Sequence, residues 1–270
     1  MLRLRILTAS ILACVLLAGL FMLESRWTIL AVGAVWIAGA WEWTRFGGLS
    51  SIASRLAYCC AIALLLALAW YWSDDPSRLL ALLASACAWW TAAFLWLITA
   101  PEWHRPRLVL FCGVPVLIPA FVALGRLVLA SRGSVGGPQI VLWLVLLVIA
   151  SDIGAFFVGR RFGRRKLAPR VSPGKTWEGA LGGLLAVALV ALCAAECFGL
   201  PAGPSIGFGC AVGIFSVIGD LTESMFKRSA GLKDSGVILP GHGGILDRID
   251  SVTAAAPFYA LGLFGSGVIR

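Results

Sequence analysis

The densest chemistry in the chain lies in two neighbouring stretches. Residues 219–228 read GDLTESMFKR and residues 233–250 read KDSGVILPGHGGILDRID. In the first, Asp220, Glu223, Ser224 and Lys227 fall at i, i+3, i+4 and i+7, which is one face of a helix. In the second, Gly243 and Gly244 follow His242 and permit close backbone approach. Asp247 and Asp250 then stand one helical turn apart, with Arg248 between them. Carboxylates without a cysteine or second histidine nearby are hard oxygen ligands, suited to a cation such as Mg2+. Lys227, Arg228 and Lys233 beside them can neutralise phosphate oxygens. Plainer readings exist for each part. Acids at a helix start favour the helix dipole, and an acid–base stripe can be simple i,i+4 pairing. Neither explains acids, bases and a histidine arriving together. The combination reads as a metal-and-polyphosphate site.

Two upstream segments point the same way. Asp152, in VIASDIGAFFVGRRFG at 148–163, interrupts an apolar run, at a cost of about 2.5–3.5 kcal/mol if the run is in a membrane. It is either an interfacial acid paired with a nearby arginine or a site residue facing a bundle interior, and the second is favoured. RVSPGKTWEG at 170–179 reads as a turn over Ser172, Gly174 and Lys175, with a helix starting at Trp177. The free N–H groups of a helix start suit phosphate. No GxxxxGK[ST] pattern is present and no strand is expected before the turn, so this is not a P-loop.

The elements that must position these residues are apolar helices. The 270 residues are 60% hydrophobic and 13% charged, with a mean hydropathy of +0.93, against about 25% charged in a soluble domain. Nine runs are long enough to cross a bilayer as helices: 5–23, 27–43, 53–72, 78–98, 108–130, 139–158, 177–199, 204–224 and 251–268. The fold class is therefore all-α, a polytopic integral membrane protein of about nine spans. Phe21 to Ser25 offers no small-residue cleavage site, so the first run is retained as a helix. Trp36, Trp41 and Trp43 suit an interfacial belt, and the eight cysteines, all in apolar runs, read as small core residues. Gly209 and Gly213 form a GxxxG that can pack helices within one subunit or between two.

Residues 1–138 have short, plain loops. Residues 139–270 carry loops 159–176 and 225–250 and nearly all the notable polar groups, so the catalytic region is expected there. With the N-terminus in the cytoplasm, 17 of the 22 lysines and arginines fall on the cytoplasmic side, as the positive-inside rule requires. The net charge of +9 is thus directed at lipid headgroups or anionic substrates, with no nucleic acid expected. Lys227, at the end of its apolar run, is expected to reach solvent and phosphate.

Residues 224–250, SMFKRSAGLKDSGVILPGHGGILDRID, resemble the signature of the phosphatidate cytidylyltransferases, or CDP-diacylglycerol synthases. Ser224, Lys227, Arg228, Lys233, Asp234, Gly236, Leu239, Pro240, His242, Gly243, Gly244, Asp247, Arg248 and Asp250 stand at that family's spacing. Residues 151–179 resemble its other cytoplasmic segment, and the likeness covers roughly the C-terminal 120 residues. Where the family often has Tyr, this chain has Phe156 and Phe157, so no hydroxyl role is expected there. The resemblance implies transfer of the cytidylyl group of CTP to phosphatidate, giving CDP-diacylglycerol and pyrophosphate. It implies Mg2+, leaves a second, monovalent cation open, and implies a homodimer in a bacterial cytoplasmic membrane with its site facing the cytoplasm. It makes Asp220, Asp247 and Asp250 the metal candidates and, with Lys227, the catalytic set. Lys175, Arg228 and Lys233 would meet phosphates, Asp152, Asp234 and His242 would shape the site, and Ser172, Ser224, Gly243, Gly244 and Arg248 would complete substrate binding. A CTP-dependent polyprenol or phytol kinase is the alternative. A cation-coupled transporter fits less well, because the polar residues gather at one face, and a CDP-alcohol phosphotransferase would need a DGxxAR motif that is missing.

If loops 159–176 and 225–250 share one membrane face, single cysteines replacing Lys166 and Lys233 in a cysteine-free background will react with an impermeant reagent from the same side of oriented vesicles. Labelling from opposite sides would rule out a shared site.

Overall fold

The computed structural model describes residues 2–102, 105–239 and 241–270, with residues 2–6 described by their backbone alone. The side chains of Arg3 and Arg5, and Pro240, lie outside the described residues. Among the described residues there are nine α-helices: α1 (Leu2–Phe21), α2 (Ser25–Phe46), α3 (Ile52–Trp72), α4 (Pro76–Thr99), α5 (Pro106–Leu129), α6 (Gly137–Phe162), α7 (Trp177–Phe198), α8 (Ala202–Ser229) and α9 (Leu246–Gly265). Six of them, α3 to α8, are long and apolar enough to cross a membrane. The protein is an all-α integral membrane protein, with two small antiparallel hairpins: β1 (Ser131–Arg132) with β2 (Val135–Gly136), and β3 (Lys166–Ala168) with β4 (Ser172–Thr176).

The apolar runs locate the helices well, and the differences fall where polar residues extend them. α6 continues through Gly159, Arg160 and Arg161, and α8 runs to Ser229, so the Asp220–Lys227 face is helical throughout. α9 begins at Leu246, which places Asp247 and Asp250 in its first turns. The stretch from Ser172 to Thr176 is a strand and not the expected turn. It pairs with β3, and the chain reverses at 169–171. Thr176 then caps α7 by accepting the Gly179 N–H at 3.1 Å.

α5 forms the centre of the bundle, with 72% of its apolar window buried. Its two interior prolines, Pro115 and Pro119, disturb the backbone ladder, and side chains of its neighbours supply donors along it. The Trp36 indole donates to the Leu117 carbonyl at 2.9 Å, Trp43 to Val109 at 2.7 Å, and Tyr58 to Leu110 at 2.9 Å. Trp36 and Trp43 are therefore buried core residues and not an interfacial belt, because each indole N–H has a carbonyl to satisfy in the interior. Trp41 is different: the Arg55 guanidinium stacks on it at 3.9 Å. The cysteines are all free; Cys59 and Cys112 are buried, whereas Cys14, Cys60, Cys193 and Cys197 are exposed on apolar faces.

α6, α7 and α8 pack closely through glycine. A Cβ on Gly154 of α6 would stand 2.5 Å from the Gly182 carbonyl oxygen of α7. Gly209 and Gly213 of α8 lie against Ala191 and Val187 of α7, so the GxxxG packs within this chain. Contacts among loops sort the two ends of the bundle. At one end Arg126 bonds to Asp74 at 2.7 Å, Arg132 donates to the Phe198 and Val268 carbonyls, and Ser131 pairs with Arg270. The residues of chemical interest collect at the other end.

Gly154→Val should overpack the α6–α7 seam and cost about 1–3 kcal/mol. The measurement is the thermal midpoint of detergent-purified protein, and an unchanged midpoint would contradict the close approach.

Candidate active site

The site is assembled around Lys227, near the C-terminal end of α8. Its side chain is 9% exposed, and Nζ lies 2.6 Å from Asp247 Oδ1 and 3.2 Å from Glu223 Oε1. The Glu223 contact is an ion pair off hydrogen-bond geometry, since Glu223 Oε1 has no hydrogen-bond partner among the described residues. The charge of Asp250 also bears on Lys227. Lys227 thus differs from expectation. It does not project toward solvent, because Glu223 of α8 and Asp247 of α9 hold its ammonium inside.

A second lysine–aspartate pair lies beside the first. Lys175, on β4, reaches Asp220 Oδ2 at 2.5 Å, with both side chains about a quarter exposed. Ser224 Oγ donates to Asp220 Oδ1 at 3.3 Å. The β3–β4 hairpin that presents Lys175 is tied to α7 by Glu178, whose carboxylate accepts the Arg164 and Arg165 N–H groups. It is tied to α8 by Arg228, which donates to the Val171 carbonyl at 3.4 Å.

Asp247 is fully engaged. Its Oδ1 holds Lys227, and its Oδ2 accepts the Gly244 N–H at 2.8 Å, the Ser235 N–H at 2.9 Å and the Ser235 hydroxyl at 2.9 Å. Gly243 has a φ of +81°, and a Cβ there would come within 2.7 Å of the same carboxylate, so this glycine is required twice over. Asp250 Oδ1 accepts the Ser251 N–H at 2.7 Å. His242 Nδ1 contacts the Thr8 hydroxyl of α1.

Two cavities open at this end, where one was expected. One of about 480 Å³ has Asp152, Asp220 and Lys175 in its polar wall and Phe156, Arg160 and Ser172 around them. The other, of about 580 Å³, is lined by Lys233, Asp234, His242, Gly243 and Arg248. They are electrically adjacent: Asp220 repels both Asp152 and Asp250, and Arg248 attracts Asp152. Among the described residues no three acids, histidines or cysteines are gathered as one metal-binding group. Asp247 is turned to Lys227, Ser235 and Gly244, whose donors occupy both its oxygens. The donor chemistry still fits Mg2+, an ion held through one or two carboxylates and completed by water and phosphate, because Asp220 and Asp247 each pair with a lysine ammonium, a cation whose place a metal ion can take.

Three residues at this end carry no expectation from the sequence. Glu42 of α2 is 2% exposed. Its Oε2 accepts the Ser235 hydroxyl at 3.0 Å and the Leu246 N–H at 2.8 Å, and its Oε1 accepts the Ile245 N–H at 3.1 Å. Arg45 donates to the Ser235 carbonyl at 2.5 Å. A signal for Glu42 existed, since it is the only acid between Glu24 and Asp74 and sits inside an apolar run, as Asp152 does.

Comparison with known proteins agrees with this architecture. The profile described as "Cytidylyltransferase family" matches residues 3–264. A phosphatidate cytidylyltransferase of Pseudomonas aeruginosa is 43% identical across 99% of this chain and 98% of its own. One from Haemophilus influenzae is 40% identical across 96% of this chain and 98% of its own, and one from Brucella suis is 36% identical across 98% and 93%. The chain belongs to the cytidylyltransferase family.

Because Lys227 is the counter-ion of two buried carboxylates, Lys227→Ala should cost about 3–5 kcal/mol of stability in addition to any loss of activity. The thermal midpoint in detergent reads this, and a midpoint like that of the unaltered protein would contradict the buried pairing.

Proposed function

We propose that the protein transfers the cytidylyl group of CTP to phosphatidate, forming CDP-diacylglycerol and releasing pyrophosphate. The observation that carries this reading is the pair of lysine–aspartate bridges, Lys175–Asp220 and Lys227–Asp247, at one end of a membrane bundle. The full-length similarity to proteins named for that reaction supports it. A phosphatidate oxygen is already a nucleophile, so no covalent enzyme intermediate is required. The oxygen attacks the α-phosphorus of CTP, the bond from that phosphorus to the bridging oxygen breaks, and pyrophosphate departs. The task of the protein is alignment and charge neutralisation.

Asp220, Asp247 and Asp250 are the residues that would hold Mg2+. When bound, the ion supplies neutralisation of the triphosphate and of the charge developing on pyrophosphate. Lys175 and Lys227 are counter-ions of those carboxylates without substrate, and in the complex their ammonium groups turn to phosphate oxygens. Arg160 and Ser172 in one cavity, and Lys233 and Arg248 in the other, add donors for the two phosphate-bearing substrates. Phe156, 57% exposed at the rim of the first cavity, gives that opening an apolar edge toward the acyl chains.

The proposed topology has nine spans, with α1, α2 and α9 joining the six most apolar helices. The N-terminus and the site face the cytoplasm, in a bacterial cytoplasmic membrane. Supporting this are the 17 basic residues assigned to that side and contacts that bring Arg45, Lys175, Lys227 and Arg248 to one end of the bundle. Residues 139–270 form the catalytic region, with α2 of the preceding part contributing Glu42 and Arg45 to its support.

Labelled CTP tests the reaction. Label at the α-phosphorus should enter the lipid and label at the γ-phosphorus should leave as pyrophosphate, and chelation of Mg2+ should abolish both. Label from the γ position in the lipid would contradict the proposal and favour a lipid kinase. Lys175→Ala, at a partly exposed pair, should keep the thermal midpoint within about 1 kcal/mol of stability while turnover falls by about 10²-fold or more. Undiminished turnover would exclude Lys175 from the site.

A further inference from the structure

A buried acid belonging to the N-terminal helices reaches into the catalytic loop. Glu42 is nearly inaccessible, and among the described residues no lysine or arginine forms an ion pair with it. Its compensation comes from the first backbone N–H groups of α9, at Ile245 and Leu246, and from the Ser235 hydroxyl. Placing a carboxylate there carries a desolvation cost that a core helix such as α2 could avoid with any apolar residue. The loop is shaped around it: a Cβ on Gly236 or on Gly244 would collide with the Glu42 carboxylate.

The contact leads directly to Asp247. Ser235, fully buried, lies 3.0 Å from Glu42 Oε2 and 2.9 Å from Asp247 Oδ2 through the same hydroxyl. That hydroxyl has one hydrogen to share between two carboxylates, and it also accepts the Asp247 N–H at 3.3 Å. Arg45, one turn along α2 from Glu42, fixes the Ser235 carbonyl. α2 therefore grips Ser235 at both its side chain and its backbone, and Ser235 in turn fixes one oxygen of Asp247. Without this grip, a loop with glycine at 236, 241, 243 and 244 has little of its own to hold Asp247 against Lys227.

We propose that Glu42 is a positioning residue for cytidylyl transfer, acting through Ser235 to set the Asp247 carboxylate. The proposal deepens the reaction assigned above and rests on it. Glu42→Gln keeps the volume and one acceptor oxygen but aims an N–H₂ group at donors already present. In full-length protein in detergent, Glu42→Gln should lower kcat by about 10- to 100-fold, the penalty for a small misplacement of reacting groups, with KM for CTP little changed. Ser235→Ala, which keeps both carboxylates and removes only the hydroxyl between them, should lower kcat as well. The double variant should be no slower than the slower single one, because both changes break the same path. Hydrogen exchange gives a readout independent of substrate: the amides of Ser235, Ile245 and Leu246 should exchange faster in Glu42→Gln than in the unaltered protein, while those of α5 stay protected.

Normal kcat in both single variants would overturn the proposal, as would multiplicative losses in the double variant. Should Glu42→Gln fail to fold, Ser235→Ala decides: a reduced kcat at an unchanged thermal midpoint supports the path and an unreduced one refutes it. Absence of CTP- and phosphatidate-dependent turnover in the unaltered protein would refute the reaction instead. Unchanged exchange at Ser235 and Leu246 would refute the grip of Glu42 whatever the reaction.

Discussion

The Lys227 ammonium, buried between α8 and α9, is the constraint on which the rest of the site depends. A lysine taken out of water is costly unless opposite charges and hydrogen bonds surround it, and removing one member of such a set leaves the others uncompensated. Here the partners are Glu223, four residues earlier on the same helix, and Asp247 at the start of α9. Satisfying Lys227 therefore fixes how α8 meets α9. Asp247 hands the constraint on to Gly244 and Ser235, and Ser235 hands it to α2 through Glu42 and Arg45. One chain of charged and polar contacts thus holds α8, the loop after it and α9 together, and ties them to α2 about 200 residues earlier.

That arrangement suits a reaction between a nucleotide from water and a headgroup from the bilayer. Helices in lipid must satisfy their backbones internally, so chemistry has to be built from side chains near helix ends and from the segments that join them. The β3–β4 hairpin and the 233–245 loop do this beside α8. The hairpin presents Lys175 to Asp220, and the loop presents amide donors to Asp247. Fixed charges of both signs, already oriented, lower the reorganisation needed when a triphosphate enters. The close glycine packing of α6 on α7 has a similar consequence, since it brings Asp152 on α6 and the strand leading into α7 around the same cavity.

Much of this was legible in the sequence, for identifiable reasons. Apolar length located the helices, because a bilayer imposes it. The spacing of Asp220, Glu223 and Lys227 showed one helix face, because α8 continues as a helix past its apolar part. What could not be read was pairing over long separations. Glu42 and Leu246 meet across 204 residues, and no local pattern encodes that contact. Trp36 and Trp43 looked like membrane-interface residues because composition is silent on whether an indole N–H finds water or the carbonyl of another helix. The segment Ser172–Thr176 looked like a turn because Pro and Gly dominate it, yet β3 supplies a partner and makes it an edge strand. Lys227 looked accessible because its place at the end of an apolar run was visible and its pairing with Asp247 of the next helix was not.

The central claim is that Lys175 and Lys227 are held ready by aspartates and pass to phosphate when substrate binds. It is tested most directly by a structure of the protein with Mg2+ and a non-hydrolysable CTP analogue, at a resolution that defines lysine side chains. The account predicts that the Lys175–Asp220 and Lys227–Asp247 contacts, 2.5 and 2.6 Å here, are both opened, with the ammonium groups on phosphate oxygens and the Glu42–Ser235 contact retained. Bound nucleotide with both lysine–aspartate pairs intact, and neither lysine on phosphate, would contradict it.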